Sequence, residues 1–549
     1  MIHASRLSRR GFLRRIAAAG AGAVGWPLAR VAAAAAGPAA RRPNFLVVVA
    51  DDMGYSDAGC YGGEIATPNL DTLAAGGLRF TQMYSTARCW PSRTCILTGY
   101  YAQQVRMDPP KGRLPAWCRL VPHHLKPLGY RCYHSGKWHI RGAPKPVADG
   151  GFDRSYKLDD QDRFFSPRSH SLDDQPLPAV QPDSGYYATV AIADRAIEQL
   201  KEHAAKHADR PFFHYLAFTC PHFPLHALRE DIARYRGRYE QGWDAVRKAR
   251  WRRMRDAGLI DCELSALQGD IKPGWNLPPE QLQERIGPGE AARAVPWASL
   301  TDDQKAHQAT KMAIHAAMID RMDREVGRVL EQVRAMGAFE NTVVMFVSDN
   351  GASAEQIIRG EKHEKSAPPG SWRSYLCLGP GWSTAANTPF RLHKSWVHEG
   401  GISSPWIVHW PAGLKARGEL RHNPGHFVDL LPTVLELAGG KPTPTWHGLA
   451  VPPMAGRSLA PALARDGTVE HEFLYFHHIG NRAIRVGDWK LVALGRNGPW
   501  ELYNLRADRG ESKDLAAEHP EKVRELSEAW QRHEADFRRL ADAPDAGAR

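Results

Sequence analysis

The run NFLVVVA at Asn44–Ala50 is the stretch of sequence that decides the fold class. Every residue after Asn44 is apolar, so a strand built from this run needs cover on both faces. Such strands belong to parallel sheets with helices on each side. Asp51 and Asp52 follow directly, at the end of the strand where open α/β sheets place their functional sites. A single aspartate often caps the next segment, whereas two adjacent carboxylates favour a metal site.

Two further apolar runs extend this pattern, PFFHYLAFT at residues 211–219 and NTVVMFV at residues 341–347. A helical spacing of apolar residues precedes each of them, at residues 187–207 and 302–336. Strands that alternate with helices predict an α/β fold with a large central, mostly parallel sheet flanked by helices.

A second group of oxygen donors, Asp349 and Asn350, follows the 341–347 run just as Asp51 and Asp52 follow the first run. If the two strands are neighbours in a parallel sheet, these four side chains meet at one edge. Three carboxylates and one amide, without histidine or thiolate, suit calcium or magnesium better than zinc.

Short strand patterns separated by turn residues dominate the C-terminal part of the chain, at residues 473–477, 483–486, 489–494 and 501–504. A helical pattern follows at 521–540. This spacing predicts a small antiparallel sheet with a terminal helix. We therefore expect a catalytic domain over residues 42–468 and a C-terminal subdomain over 469–549.

Residues 1–41 have the features of an export signal. The segment SRRGFLR at residues 8–14 resembles the twin-arginine signal, and an alanine-rich stretch and small residues suited to cleavage near Ala36 follow it. A basic tail before an alanine-rich helix is the alternative. The signal implies the twin-arginine translocase as a partner and a periplasmic or secreted protein, and no other run approaches the length of a membrane span.

The charge and cysteine content argue against a nucleic-acid-binding protein and against a fold held by disulfides. Half of the formal net charge of +12 comes from six arginines within the first 36 residues, so a nucleic-acid partner is not indicated. The eight cysteines form no C-x-x-C pair, and export of a folded chain implies folding in a reducing compartment. We therefore expect no structural disulfide.

The segment RCWPSRTCILT at residues 88–98 places Cys89 at the start of a predicted helix. Pro91 stiffens the turn, and the positive end of the helix dipole favours anionic chemistry there. Arg93 lies about one helical turn further along, on the same face. A buried structural cysteine beside a surface arginine is the alternative interpretation.

Three other segments carry candidate polar groups. Lys137 and His139 flank Trp138, so an extended backbone would point both to one side. His222 lies between two prolines just past a predicted strand, a position suited to proton transfer. Lys394 by itself reads as a surface lysine.

Two segments predict loops around the site. Residues 150–186 hold few regular signals and indicate a substrate-side loop. Residues 361–386 are rich in Gly, Pro and Ser and predict a loop that covers the site. Within it, Trp372 and Trp382 are available to touch a substrate.

These blocks together resemble the type I, formylglycine-dependent sulfatases of the alkaline phosphatase superfamily, with arylsulfatase-like character. The resemblance runs from Pro43 to about Leu515, through PNFLVVVADD, ATPNLDTLA, CWPSR with LTG, GKWH, TPFRLHK and EGGI. Two serines, Ser403 and Ser404, stand where many relatives have Arg and Val, which leaves the specificity open.

The resemblance implies an alkaline phosphatase-like fold, one calcium ion (magnesium less favoured), and conversion of Cys89 to Cα-formylglycine by a separate maturation enzyme. It assigns the metal to Asp51, Asp52, Asp349 and Asn350, and a hydroxyl of the hydrated aldehyde attacks the sulfur. Lys137 and Lys394 then bind the sulfate, and His222 protonates the leaving group. His139 deprotonates the second hydroxyl to expel sulfate, while Arg93 holds the formylglycine and the carboxylates.

Two alternatives remain at this point. One is a phosphate or phosphonate monoester hydrolase on the same scaffold, and the other is a protein that holds sulfated glycans without hydrolysing them. The natural substrate is open between a sulfated small molecule and a sulfated carbohydrate, as is the oligomeric state.

Overall fold

A computed structural model describes residues 42–359 and 363–545 of the chain. The predicted export signal at 1–41 lies outside these residues. The large sheet is built from β1 Asn44–Ala50, β2 Leu78–Tyr84, β3 Arg131–Lys137, β4 Arg154–Leu158, β5 His170–Leu172, β6 Gln175–Pro176, β7 Phe212–Ala217, β8 Thr342–Ser348, β9 Ser403–His409, β10 Glu419–Arg421 and β11 Gly425–His426.

The order of strands in this sheet is β10-β2-β9-β8-β1-β7-β3-β4-β5-β6, with β11 paired to β2 beyond β10. The central strands β8, β1, β7, β3 and β4 run parallel. The strand β9 is antiparallel to both of its neighbours, and β5 and β6 close the far edge in antiparallel fashion. The predicted mostly parallel sheet is confirmed.

Helices cover both faces of the sheet: α1 Pro68–Ala75, α2 Cys89–Thr98, α3 Val121–Leu125, α4 Ala188–Lys206, α5 Arg229–Ala233, α6 Gly242–Asp256, α7 Pro279–Arg285, α8 Asp302–Ala335, α9 Gly379–Ala386, α10 Glu399–Ile402, α11 Leu430–Leu437, α12 Ala460–Ala464 and α13 Pro520–Asp542. None of the helices in the described part of the chain is long and apolar enough to cross a membrane.

The position of β1 in the sheet explains why its residues after Asn44 are all apolar. Leu46, Val48 and Ala50 point into the core shared with α4 and α8. Phe45, Val47 and Val49 point into the opposite core, shared with α11 and α13. Since successive residues of a strand face opposite sides, a strand covered on both faces has no position for a polar side chain.

The C-terminal part forms the predicted antiparallel sheet, with strands β14 Leu474–His478, β15 Asn481–Val486, β16 Trp489–Ala493 and β17 Trp500–Asn504, and the helix α13. A separate two-stranded ribbon precedes it, β12 Thr445–Trp446 and β13 Leu449–Ala450. Tyr475, Ile484 and Trp530 of this region belong to the same apolar core as Phe45 of β1. The division at residues 468 and 469 stays a prediction.

Two loop predictions were wrong in part, because regular elements lie within each segment. The segment 150–186 contains β4, β5 and β6, which extend the large sheet at one edge and whose shortness left little sequence signal. The segment 361–386 ends in α9, and Trp382 of this helix is fully buried against Trp243 and Trp297. Trp382 therefore stabilises the core and is not available to a substrate.

Candidate active site

The parallel pairing of β1 and β8 brings the four predicted oxygen donors together. Ala50 lies opposite Ser348 in the register, so the residues that follow each strand meet at one edge of the sheet. The backbone N–H of Asp52 donates to Asp349 Oδ1 at 3.3 Å, and Asn350 Nδ2 donates to Asp52 Oδ1 at 2.7 Å. All four side chains are buried.

This cluster fits a hard cation. Asp51 Oδ1 and Asn350 Oδ1 are buried acceptors without a hydrogen-bond donor among the described residues. Burial raises the pKa of Asp51 to about 6, despite the opposing charge of Lys137. The neighbouring positive charges therefore do not fully offset the cost of burying the ionised carboxylate. Carboxylate and amide oxygens are the ligands of calcium and magnesium, and a bound ion would satisfy both orphaned oxygens.

Cys89 lies at the first position of α2, directly beside this cluster. Its side chain is only 2% exposed, and its Sγ lies within 4.8 Å of carboxylate oxygens of Asp51 and Asp349. One turn further along α2, Arg93 donates through Nε to Asp349 Oδ2 at 2.9 Å and through Nη1 to the carbonyl oxygen of Lys137 at 3.0 Å. The arginine therefore joins the cysteine helix to the acidic edge of the sheet.

Two buried lysines approach the cluster from different segments. Lys137, at the end of β3, donates to Asp51 Oδ2 at 2.5 Å. Lys394 donates to Asp52 Oδ2 at 2.7 Å. Burial acts to raise the pKa of Asp52, but the charge of Lys394 holds it below the ordinary value. The site thus presents two ammonium groups beside Cys89, an arrangement suited to a tetrahedral oxyanion.

The two histidines contact different residues of the site. His139 has a φ of 58° and follows the end of β3, so the prediction that it shares a strand face with Lys137 was wrong. Its ring nevertheless packs against Trp90, the neighbour of Cys89, with 5.8 Å between the ring centroids. Burial lowers the pKa of His139 well below its ordinary value, and the charges of Lys137 and Arg93 lower it further.

His222 has one ring nitrogen free to act in the site. Its Nδ1 lies 2.5 Å from the carbonyl oxygen of Phe223, which can only accept, so Nδ1 carries a proton and donates. Its Nε2 lies 3.7 Å from Asp52 Oδ2. Burial and the charge of Lys394 lower the pKa of His222 well below its ordinary value. A proton placed on Nε2 is therefore readily given up.

Sequence reasoning missed Glu355, a buried carboxylate at the entrance to the site. Its Oε2 lies 3.6 Å from Lys394 Nζ and 3.3 Å from Arg88 Nη1. Burial would raise the pKa of Glu355, but the charges of Lys394 and Arg88 bring it down to about 2. Glu355 lies six residues after Asp349, and no spacing rule distinguishes it from an ordinary surface glutamate.

The C-terminal sheet holds the segment that carries Lys394. Asn481 of β15 donates through Nδ2 to the carbonyl oxygen of Ser395 at 2.8 Å. Arg391 donates through Nη1 to Glu501 Oε2 of β17 at 2.8 Å. The position of the lysine therefore depends on contacts made by strands almost 100 residues further along the chain.

We expect Asn481→Ala to lower kcat/KM about fivefold, mainly through a higher KM, because the lost hydrogen bond is worth about 1 kcal/mol and acts on the backbone beside Lys394. Steady-state kinetics and thermal melting measure the effect. Asn497→Ala, at an exposed asparagine between β16 and β17, is the matched control and should change neither. An unchanged KM in Asn481→Ala would contradict the positioning role.

A large cavity lies apart from this site. It has a volume of about 920 Å³ and lies against α5 and α8, with Trp372 in its wall and none of the predicted site residues. A cleft of about 600 Å³ lies closer, between Trp90 and the β14–β15 turn. The four side chains of the acidic cluster are themselves buried.

The fold and site were compared with known proteins. A family model described as sulfatase matches residues 43–440. An uncharacterized sulfatase of Schizosaccharomyces pombe is 31% identical over 92% of this chain and 95% of its own length, and an arylsulfatase of Klebsiella aerogenes is 32% identical over 76% and 91%. The crystal structure of Ps i-CgsB in complex with k-i-k-neocarrahexaose has a TM-score of 0.63 at 22% identity, covering 92% of this chain and 96% of that one.

The mostly parallel sheet with its acidic edge, together with these similarities, defines a hydrolase of the alkaline phosphatase-like fold. The match over residues 43–440 and the fission yeast relative make the family specific. The chain belongs to the sulfatase family and is a sulfuric ester hydrolase.

Proposed function

We propose that this sulfatase acts through a Cα-formylglycine at position 89 and one calcium ion, held by Asp51, Asp52, Asp349 and Asn350. The observation that carries the proposal is the close approach of Cys89 to carboxylates beside two orphaned buried oxygens. The bound ion would supply positive charge, and the hydrated aldehyde would supply one hydroxyl to attack sulfur and a second to expel the sulfate.

The remaining groups of the site have distinct tasks. Lys137 and Lys394, now bonded to Asp51 and Asp52, bind the sulfuryl oxygens and stabilise charge that develops on them. His222 would take up a proton on Nε2 when the anionic ester binds beside it and would give that proton to the departing oxygen, a transfer that the lowering of its pKa by burial and by the charge of Lys394 favours. His139, on the side of Trp90, accepts the proton of the second hydroxyl. Arg93 fixes the position of residue 89 relative to Asp349, since it lies on the same helix as residue 89 and donates to Asp349.

The preference for sulfate over phosphate esters tests the proposed roles of these residues. We expect steady-state rates on 4-nitrophenyl sulfate to exceed those on 4-nitrophenyl phosphate by about 100-fold or more in kcat/KM, because two lysines that are already paired with Asp51 and Asp52 match the single negative charge of a sulfate ester better than the double charge of a phosphate ester. The same enzyme preparation serves both assays, so incomplete maturation cancels. A preference for the phosphate would favour the phosphate or phosphonate monoesterase, and saturable binding without turnover by aldehyde-bearing protein would favour a sulfated-glycan-binding protein.

We also propose that the protein is exported by the twin-arginine translocase to the periplasm or medium, after a separate maturation enzyme has modified Cys89. The twin arginines Arg9 and Arg10, followed by a weakly apolar stretch, support this route. The natural substrate is a sulfated small molecule or a sulfated carbohydrate.

A further inference from the structure

Trp275 is an exposed indole that is joined to the site by a hydrogen bond to Glu355. It is 44% exposed and, with Ile479, is one of two large apolar side chains with high exposure in the described part of the chain. A single exposed apolar residue needs no explanation by itself. Trp275 differs from a scattered surface residue in two respects, because its backbone is fixed and its ring contacts Glu355 and Arg88.

The backbone around Trp275 is held tightly although it lies in an irregular segment. Asn276 donates through Nδ2 to the carbonyl oxygen of Ala354 at 3.0 Å and accepts at Oδ1 from the N–H of Gln356 at 2.9 Å. The N–H of Leu277 donates to the carbonyl oxygen of Gln356 at 2.9 Å. These bonds attach the segment to the residues that follow Asp349 and Asn350. The indole is therefore preorganised before a ligand arrives.

The ring itself is tied to the lysine that contacts Asp52. Trp275 Nε1 donates to Glu355 Oε1 at 2.8 Å, and Glu355 Oε2 lies 3.6 Å from Lys394 Nζ. The guanidinium carbon of Arg88 lies 5.8 Å from the indole centroid of Trp275 and 5.5 Å from that of Trp90. Arg88 precedes Cys89 in the chain, so Trp275 is linked to residue 89 through Arg88 and to Lys394 through Glu355.

We propose that Trp275 is a specificity-determining residue on which the leaving group stacks, and that the substrates are sulfate esters of a ring with a flat apolar face. This inference rests on the proposed sulfatase function. Arg88 faces the indole from one side, and the exposed area leaves the ring open to a ligand. Aryl rings and the apolar face of a pyranose share this recognition chemistry, whereas a short acyclic alkyl group does not have the area to use it.

The stacking contact acts on binding more than on the chemical step, because it lies outside the reacting atoms. We expect Trp275→Ala to raise KM about tenfold for ring substrates with little change in kcat, the size expected from loss of an aromatic contact and its buried area. Trp275→Phe keeps a flat ring and loses the bond to Glu355, so KM should rise less than in Trp275→Ala.

The experiment compares wild type, both variants and Trp372→Ala on three esters: 4-nitrophenyl sulfate, glucose 6-sulfate, and ethyl sulfate measured as a competing inhibitor. Trp372 is a partly exposed tryptophan in the wall of the 920 Å³ cavity, so its variant is the matched control and should leave all three constants unchanged. The ring ester with the larger loss in Trp275→Ala identifies whether an aryl or a sugar leaving group is the better fit.

Equal weakening of ethyl sulfate and of the ring esters in Trp275→Ala would indicate a merely structural role and overturn the inference. An unchanged KM for both ring esters would overturn it as well. Wild-type protein that carries the aldehyde at position 89 but hydrolyses none of the sulfate esters would instead overturn the proposed function, and the inference with it.

Discussion

Cys89→Ser is expected to abolish turnover of sulfate esters, by about 10⁴-fold or more in kcat, provided the host does not convert the serine. A serine hydroxyl fits the enclosed position at the start of α2 and could take up one sulfuryl group. It has no second hydroxyl on the same carbon, so no internal route expels the sulfate. We therefore expect at most one turnover per molecule and a protein mass increased by one sulfuryl group.

The control for this prediction is Cys95→Ala, at a buried thiol on the same helix α2 that makes no contact with the acidic cluster. It should reduce stability and leave kcat unchanged. Mass analysis of the peptide that carries residue 89 in wild-type protein tests the modification itself. An aldehyde in active protein supports the proposal, and an intact Cys89 thiol in fully active protein would overturn it.

Asp51→Asn is expected to lower kcat about 10³-fold and to remove most of the bound calcium. The substitution keeps the shape of the side chain but removes the negative charge of a buried ligand whose Oδ1 has no donor among the described residues. It also leaves the ammonium of Lys137 without its anionic partner. Elemental analysis of the metal and the calcium-dependent shift of the melting temperature measure the loss without relying on activity.

A buried carboxylate outside the site provides the matched control. Asp323 of α8 accepts from the backbone N–H groups of Asn69 and Leu70 at 3.0 and 2.8 Å. Asp323→Asn should lower the melting temperature and leave one calcium per chain. If Asp51→Asn retained full calcium content and the wild-type calcium-dependent melting shift, Asp51 would not be a ligand.

Much of the fold was predictable because the central strands are covered on both faces. The apolar run of β1 matches the observed strand, and the observed pairing of β1 with β8 meets the condition under which the four oxygen donors were expected to converge. The four oxygen donors then had to meet, since each pair directly follows its strand. Cys89 was placed at a helix start by its proline and by the helix that follows, as observed.

The remainder of the site depends on long-range contacts that leave no periodic signal. Trp275 and Glu355 lie in irregular segments and meet through one hydrogen bond across 80 residues of sequence. His139 lies outside its predicted strand because the backbone turns to positive φ after Lys137. Trp382 was misjudged because Gly- and Pro-rich composition concealed a short buried helix.

The burial of Cys89 limits the stage of synthesis and folding at which the proposed modification can occur. In the folded protein Cys89 is 2% exposed. The neighbouring Arg88 donates through Nη1 to Ser395 Oγ at 2.9 Å. Ser395 lies in the segment that the C-terminal strand β15 holds in place. Another enzyme cannot reach a side chain that is only 2% exposed, so it would need this segment unfolded. The proposed modification of Cys89 would therefore come after synthesis of α2 and before the C-terminal strands dock. A variant that folds faster would leave less time for modification of Cys89, and a smaller fraction of its molecules would become active.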